Sequence, residues 1–300
     1  MAKRSTKEVL TLAGAAVIFV VTVILLKSHR QFIQQVSQRI SEREKNALKQ
    51  LASKPDAIQQ ATQTAAHGQA VRSAPFMYDQ ETLAYLRQHI QPPSKLPLNL
   101  TDNKRRDFSQ YGQMVTVIKD VFKGRSNGIF LEAGALDGEY ASNTLQLERE
   151  YNWTGILIEA NPVRYQKLVN KHRHAYIWYG CILNVPKLTK KTLVLNRFHA
   201  EKNQFTMPCV SLAAIFAAMN WTKVDFVSLD IEGYEPEALL SIPWHLVDID
   251  VFLIECDQCN KGTGRDFTQK RHFLKTTFDA LGYDEVTYLK LDYVYKKRRQ

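Results

Sequence analysis

The chain has 300 residues, 45% of them hydrophobic and 23% charged, which accommodates one sizeable domain plus appendages. Its formal net charge of +10 favours acidic surfaces. The excess collects in clusters such as Lys104-Arg105-Arg106 and Lys296-Lys297-Arg298-Arg299, which read as a solvated basic face or a headgroup contact. Without aromatic–basic interleaving or a nucleic-acid motif, the composition argues against nucleic acid as a partner.

A short basic N-terminus, residues 1–8, precedes the uncharged run Val9 to Leu26, VLTLAGAAVIFVVTVILL. At 1.5 Å per residue this run spans about 27 Å, enough to cross a hydrocarbon core about 30 Å thick. A cleaved signal peptide is the competing reading. Its apolar core is shorter and ends in small residues, whereas Ala13 to Ala16 lie inside this run. The expectation is therefore a single-pass anchor in a lipid bilayer through residues 9–26. Basic residues flank both sides, so charge alone barely sets the orientation. The short basic N-terminus and the sequons Asn99-Leu-Thr101, Asn152-Trp-Thr154 and Asn220-Trp-Thr222 lean towards a lumenal C-terminal part.

Residues 27–75 are polar, with a weak apolar stripe through Ile33, Val36, Ile40, Leu48 and Leu51 broken by Pro55: a partly helical stalk. From residue 76 to 300 the pattern is that of a domain. Asp79 caps a helix that Pro92-Pro93 ends, and a second helix is expected from about Ser109 to Phe122. Strand and helix signals then alternate. Strands are expected at Ile129–Ala133, Gly155–Glu159, Tyr176–Gly180, Thr192–Phe198, Val224–Asp230 and Val251–Glu255, with closing strands at Glu285–Leu289 and Tyr293–Tyr295. Helices are expected from Ser142, Pro162, Ser211, Pro236 and Asp266. Alternation of this kind makes an α/β fold with a mostly parallel sheet and helices on both faces.

Cys181, Cys209, Cys256 and Cys259 leave the compartment open. Cys256 and Cys259 have C-x-x-C spacing but no second pair for zinc, leaving buried thiols, a lumenal disulfide or a redox pair.

Acids end three of the apolar strands. Glu132 and Asp137 lie around the turn Gly134-x-x-x-Gly138, Glu159 closes one strand and Asp230 another. In a parallel sheet these ends share an edge. Glu159 follows Gly134 by roughly 25 residues, near the spacing at which an acid reaches a ribose diol. The G-x-G-x-x-G turn of a dinucleotide site is absent, so an adenosine ligand without phosphates, S-adenosylmethionine, fits better. The plain alternative is a domain whose acids cap helices.

The segments FLEAGALDGE (130–139), SNTL (142–145), WTGILIEANP (153–162) and VDFVSLDIEG (224–233) resemble the FkbM-type methyltransferase domain, most of all its branch containing the arthropod membrane protein Star. The resemblance covers roughly residues 79–300 and implies a Rossmann-like, S-adenosylmethionine-dependent methyltransferase fold. It implies that Glu132, Gly134, Asp137 and Gly138 line the methionine side of the cofactor, that Glu159 holds the ribose, and that the segment at Cys181 approaches the adenine. Asp230, Glu232 and Glu235 match the family's acids, while Tyr234 replaces a small residue. Asp230, with Glu232 or Glu255, is the expected catalytic group of an O-directed transfer, through a shared proton or a divalent ion. Resemblance to Star also implies a non-catalytic alternative: secretory-pathway transport of membrane-protein cargo, such as growth-factor precursors, in the endoplasmic reticulum, Golgi or endosomal system.

Overall fold

A computed structural model describes residues 78–194, 204–256 and 265–299. The anchor expected at 9–26 and the stalk at 27–75 lie outside the described residues. No helix among those described is long and apolar enough to cross a membrane.

The strands are β1 (Ile129–Ala133), β2 (Thr154–Glu159), β3 (Tyr176–Tyr179), β4 (Cys181–Ile182), β5 (Thr189–Val194), β6 (Gln204–Val210), β7 (Lys223–Leu229), β8 (Asp248–Glu255), β9 (Tyr283–Leu289) and β10 (Asp292–Lys297). Seven of them form one sheet in the order β3-β2-β1-β7-β8-β10-β9. The pairs β3·β2, β2·β1, β1·β7 and β7·β8 are parallel, whereas β10 runs antiparallel to both β8 and β9. The chain moves outward from β1 to β3, then restarts on the other side of β1 with β7. That reversal opens a crevice at the carboxyl ends of β1 and β7, the usual ligand position in open α/β sheets.

Alternation of side chains sorts the strands' residues between two cores. Leu131, Ile156, Ile158, Val227, Leu229, Phe252 and Ile254 face one layer, made by α1 (Gln80–His89) and three later helices. Phe130, Leu157, Phe226, Val251 and Leu253 face the other, made by α2 (Gln113–Thr116), α3 (Leu145–Tyr151) and α4 (Pro162–Val169). The first layer is completed by α5 (Leu212–Met219), α6 (Glu235–Leu240) and α7 (Arg265–Ala280). Three layers with a buried parallel centre explain why the central strands are apolar on both faces.

The expected helix from Ser109 begins later. Hydrogen bonds from the Ser109 amide and hydroxyl to Asp107 Oδ1 and a left-handed Gly112 (φ 79) hold the preceding residues in turns. After Thr116 the helix widens into a π-turn, Val117–Phe122, which sets Val117, Ile118, Val121 and Phe122 against the sheet. The strand expected at Thr192–Phe198 begins earlier, at Thr189, and residues 195–198 lie outside the described residues.

A second sheet, β4-β6-β5, was not expected from the sequence. β6 does alternate, with Phe205, Met207 and Cys209 interleaved by Thr206 and Pro208, but Pro208 inside the run argues against a strand when only the sequence is read. Cys181 and Cys209 are register partners on the parallel pair β4·β6, with Cα atoms 4.4 Å apart, and form a disulfide. Cys256 is disulfide-bonded as well. The Cys181–Cys209 bridge closes a loop of 28 residues in separation, and such a crosslink stabilises by about 2–4 kcal/mol, largely by restricting the unfolded chain. Cys209→Ser is therefore expected to lower the urea midpoint by a corresponding amount under oxidising conditions. Under full reduction, wild type and variant should converge.

Candidate active site

Glu132, Glu159, Asp230 and Glu255 share a parity as well as an edge. Each follows a residue that points into the α1/α5–α7 core, namely Leu131, Ile158, Leu229 and Ile254, so each faces the α2–α4 side. Asp292 opens the antiparallel β10 opposite Glu255 in register, one residue before Tyr293 of the α1/α5–α7 core, and so joins the same face and end. Glu159 and Asp230 are carried on strands flanking β1, about 10 Å apart across two strand spacings.

The β1 acid is committed to the loop that follows. Buried Glu132 accepts hydrogen bonds from Ser142 Oγ (3.0 Å), the Asn143 amide (2.7 Å) and Thr144 Oγ1 (2.5 Å). Burial pushes its pKa up, opposed by Arg173 and these donors. Arg173, itself buried, donates to Glu148 Oε2 (2.9 Å), the Gly138 carbonyl (2.5 Å), Thr144 Oγ1 and Ser142 Oγ. Glu132 and Arg173 thus bind residues 138–148 to the sheet. Asp137 accepts from the amides of Glu139 and Tyr140 as a turn cap. Gly134, at φ 89, is pressed against Asp230: a Cβ there would fall on the Asp230 carbonyl oxygen, so glycine is needed for contact between two strand ends. Gly138, at φ 80, leaves room for Leu168 Cδ1 in the same way.

Glu159 closes β2 with only 4% of its surface exposed. Its two oxygens accept the amides of Leu136 and Asn161, both at 2.7 Å, linking the glycine turn to the cap of α4. Burial raises its pKa to about 7 despite those bonds. The Ala160 amide bonds this carboxylate as well, so of its four lone-pair directions one stays open.

A carboxyl cluster follows β7 and β8. Asp230 and Glu255 share a side-chain hydrogen bond, and both pKa values are raised by burial and by repulsion from nearby carboxylates. Asp292, raised to about 7 by burial and Glu255, accepts from Gln113 Nε2 at 2.9 Å. Glu235, fully buried, accepts the amides of Ile231 and Gly233, which shapes the turn after Asp230. Lys270 Nζ lies 2.8 Å from Glu235 Oε2 and forms an ion pair with it. Glu232 is exposed at a left-handed position (φ 56) and acts on Asp230 and Glu255 through its charge. Tyr234 is covered by Lys191 of β5, whose Nζ sits 4.3 Å from the ring centroid. Two carboxyl groups joined by one hydrogen bond hold a proton between them, the requirement for a group that must take a proton near neutrality. Among the described residues, no three His, Cys, Asp or Glu side chains are arranged to hold a metal ion.

Of the residues singled out in the sequence, Asp230 and Glu255 meet directly, and Glu159 joins them on one rim. Glu132 and Asp137 serve the loop, and Cys181 is half-buried in its disulfide with Cys209. Sequence reasoning missed Asp292, Gln113 and Arg173. Asp292 reaches the site only through an antiparallel return that strand periodicity does not reveal. Arg173 had a faint signal, a charged residue just ahead of an apolar strand.

The class these features define is a Rossmann-like α/β methyltransferase domain. The family profile described as "Methyltransferase FkbM domain" matches residues 132–285, just over half of the chain, and the chain belongs to this family. Among solved structures it is similar to methyltransferase FkbM from Methylobacillus flagellatus, at 14% identity over 82% of this chain and 60% of that one, with a TM-score of 0.36. It is also similar to a TehB-like SAM-dependent methyltransferase from Corynebacterium glutamicum, at 12% identity over 63% and 89%, with a TM-score of 0.35. A third is fibrillarin of Aeropyrum pernix in complex with S-adenosyl-L-methionine, at 10% identity over 57% and 66%, with a TM-score of 0.35. Likenesses this remote accompany the family assignment without adding to it. No curated protein matches the chain.

Proposed function

We propose that the protein is an S-adenosylmethionine-dependent methyltransferase directed at oxygen, held to a membrane by residues 9–26 with residues 76–300 as its catalytic domain. The observation that carries this reading is the convergence of Glu159, Asp230, Glu255 and Asp292 on one face at one end of the sheet. The residues fit the cofactor. The open lone-pair direction of Glu159 suits a ribose hydroxyl. The cluster at Asp230 holds more negative charge than it can keep ionised, as its raised pKa values record, and a cationic sulfonium with its ammonium would relieve that repulsion. The cofactor, when bound, supplies the methyl group on a sulfonium leaving group. The chain's own part is to align the acceptor oxygen and to take its proton onto the Asp230–Glu255 pair.

Titration of residues 76–300 with S-adenosylmethionine in a calorimeter tests this directly. Binding is expected to release protons from the acid cluster, so affinity should rise with pH between about 6 and 8 and the heat should vary with buffer ionisation enthalpy. Glu159→Ala is expected to weaken binding about tenfold or more, the scale of a lost hydrogen bond to a charged group. No heat and no thermal shift at millimolar ligand would rule the reading out.

A second reading is a Star-like factor in the secretory pathway that assists membrane-protein cargo without catalysis. It is favoured by the bonded Cys181–Cys209 pair and bonded Cys256, since disulfides persist in oxidising compartments whereas the cofactor is made in the cytosol. Both readings place the domain in the lumen of the endoplasmic reticulum, Golgi or endosomal system. The calorimetric result separates them.

A further inference from the structure

The chain contains three Asn-x-Thr sequons, and their asparagines and threonines are all exposed: Asn99 with Thr101, Asn152 with Thr154, and Asn220 with Thr222. Two of them lie at turns leading from a helix into a strand, and the third packs against such a turn. Asn152 ends α3 just before β2, and Asn220 ends α5 just before β7. Asn99 is bound to the turn between α4 and β3, its amide donating to Lys171 O and its Nδ2 to Asn170 O. Glu159, Asp230 and Glu255 instead lie at the carboxyl ends of β2, β7 and β8. For Asn152 and Asn220 the whole length of a strand, about 20 Å, separates the sequon from the acid on that strand's far end.

Asn152 (φ 54) and Asn220 (φ 63) sit in the left-handed conformation that asparagine tolerates better than most residues. That accounts for the asparagine at these two positions. It does not account for an exposed threonine two residues later in both, nor for Asn99, which has no such constraint. Asn152 Nδ2 donates one hydrogen to Asn127 Oδ1 at 2.6 Å, and Asn99 Nδ2 donates one to Asn170 O at 2.9 Å. A primary amide carries two hydrogens, so either contact survives substitution of the other.

We propose that this domain carries N-linked glycans at Asn152 and Asn220, on the edge of the sheet opposite its acid crevice, with Asn99 as a third acceptor. The inference rests on the lumenal reading above. The donor is an oligosaccharide on a polyprenyl pyrophosphate. Nδ2 forms a bond to C1 of the first sugar, the C1–oxygen bond breaks, the lipid pyrophosphate leaves with the electron pair, and one amide proton passes to a base. Glycans so placed cover the amino-terminal ends of β2 and β7 and leave the Glu159–Asp230 rim open.

The test uses the full chain expressed in a eukaryotic cell, with two separate readouts. Peptide N-glycosidase should increase gel mobility in discrete steps, and Thr154→Ala and Thr222→Ala should each remove one step. Thr154→Ser and Thr222→Ser, which keep the sequon, should remove none. Topology is read independently by protease protection of sealed microsomes with and without detergent. A protected, glycosidase-sensitive domain supports the proposal. A protected domain that is insensitive to the glycosidase overturns it and leaves the lumenal reading standing. A domain cleaved without detergent overturns both.

Discussion

Arg173→Met is expected to destabilise the domain by about 3–5 kcal/mol, enough to unfold a large fraction of it at physiological temperature. The guanidinium side chain is 0% exposed and its partner Glu148 is 2% exposed, so removing it leaves a carboxylate in the interior without its counter-charge. The loss extends further. The Gly138 carbonyl and Thr144 Oγ1 each lose a donor, and Glu132 loses the positive charge that opposes its burial. Methionine replaces much of the volume, so the effect reports charge rather than a cavity. Glu148→Gln in the same chain keeps an acceptor for the His174 amide while removing the stranded charge, and should recover part of the loss. Urea midpoints of the four proteins in this cycle measure the coupling. A single variant within 1 kcal/mol of wild type would show that residues 138–148 are held by something other than Arg173.

The same region shows where sequence reasoning reaches and where it stops. Apolar runs such as Ile129 to Leu131 and Ile156 to Ile158 announce themselves because both faces of the sheet are covered, and glycines mark the turn after the first of them. The acids at strand ends are legible for a related reason: a charged residue closing an apolar run has a definite address in a parallel sheet. Long-range partners are not legible. Asp292 and Gln113 meet at 2.9 Å across 179 residues of sequence, and nothing local to either forecasts the contact. The family resemblance places Glu132 on the cofactor, whereas its hydrogen bonds to Ser142, Asn143 and Thr144 depend on how the following loop turns back. The small sheet β4-β6-β5 escaped because β4 is only two residues long and Pro208 interrupts the alternating run of β6.

Asp230→Asn is expected to move activity and stability in opposite directions. An asparagine cannot take a proton from the acceptor hydroxyl, so turnover at saturating cofactor should fall by a factor of about 10² or more, the scale of lost general-base assistance, and the rise of cofactor affinity with pH should flatten. Turnover is read as thioether product released in the presence of hydroxyl-bearing acceptors. Stability should respond the other way. Burial and the repulsion from Asp292, Glu235 and Glu232 raise the Asp230 pKa. An unfolded aspartate loses its proton near pH 4, whereas the folded one keeps it to a higher pH. Between those values the folded state binds more protons than the unfolded state, so this group makes wild-type stability fall as pH rises. Asparagine removes that dependence and frees Glu255 and Asp292 from one repulsive neighbour. The variant should match wild type near pH 5 and exceed it by about 1–3 kcal/mol at pH 8. Thermal unfolding at the two pH values tests this without any knowledge of the acceptor. A variant less stable than wild type at pH 8 would mean that Asp230 serves the fold as an ionised partner rather than holding a strained, functional charge. Unchanged turnover would take the proton-accepting role away from it.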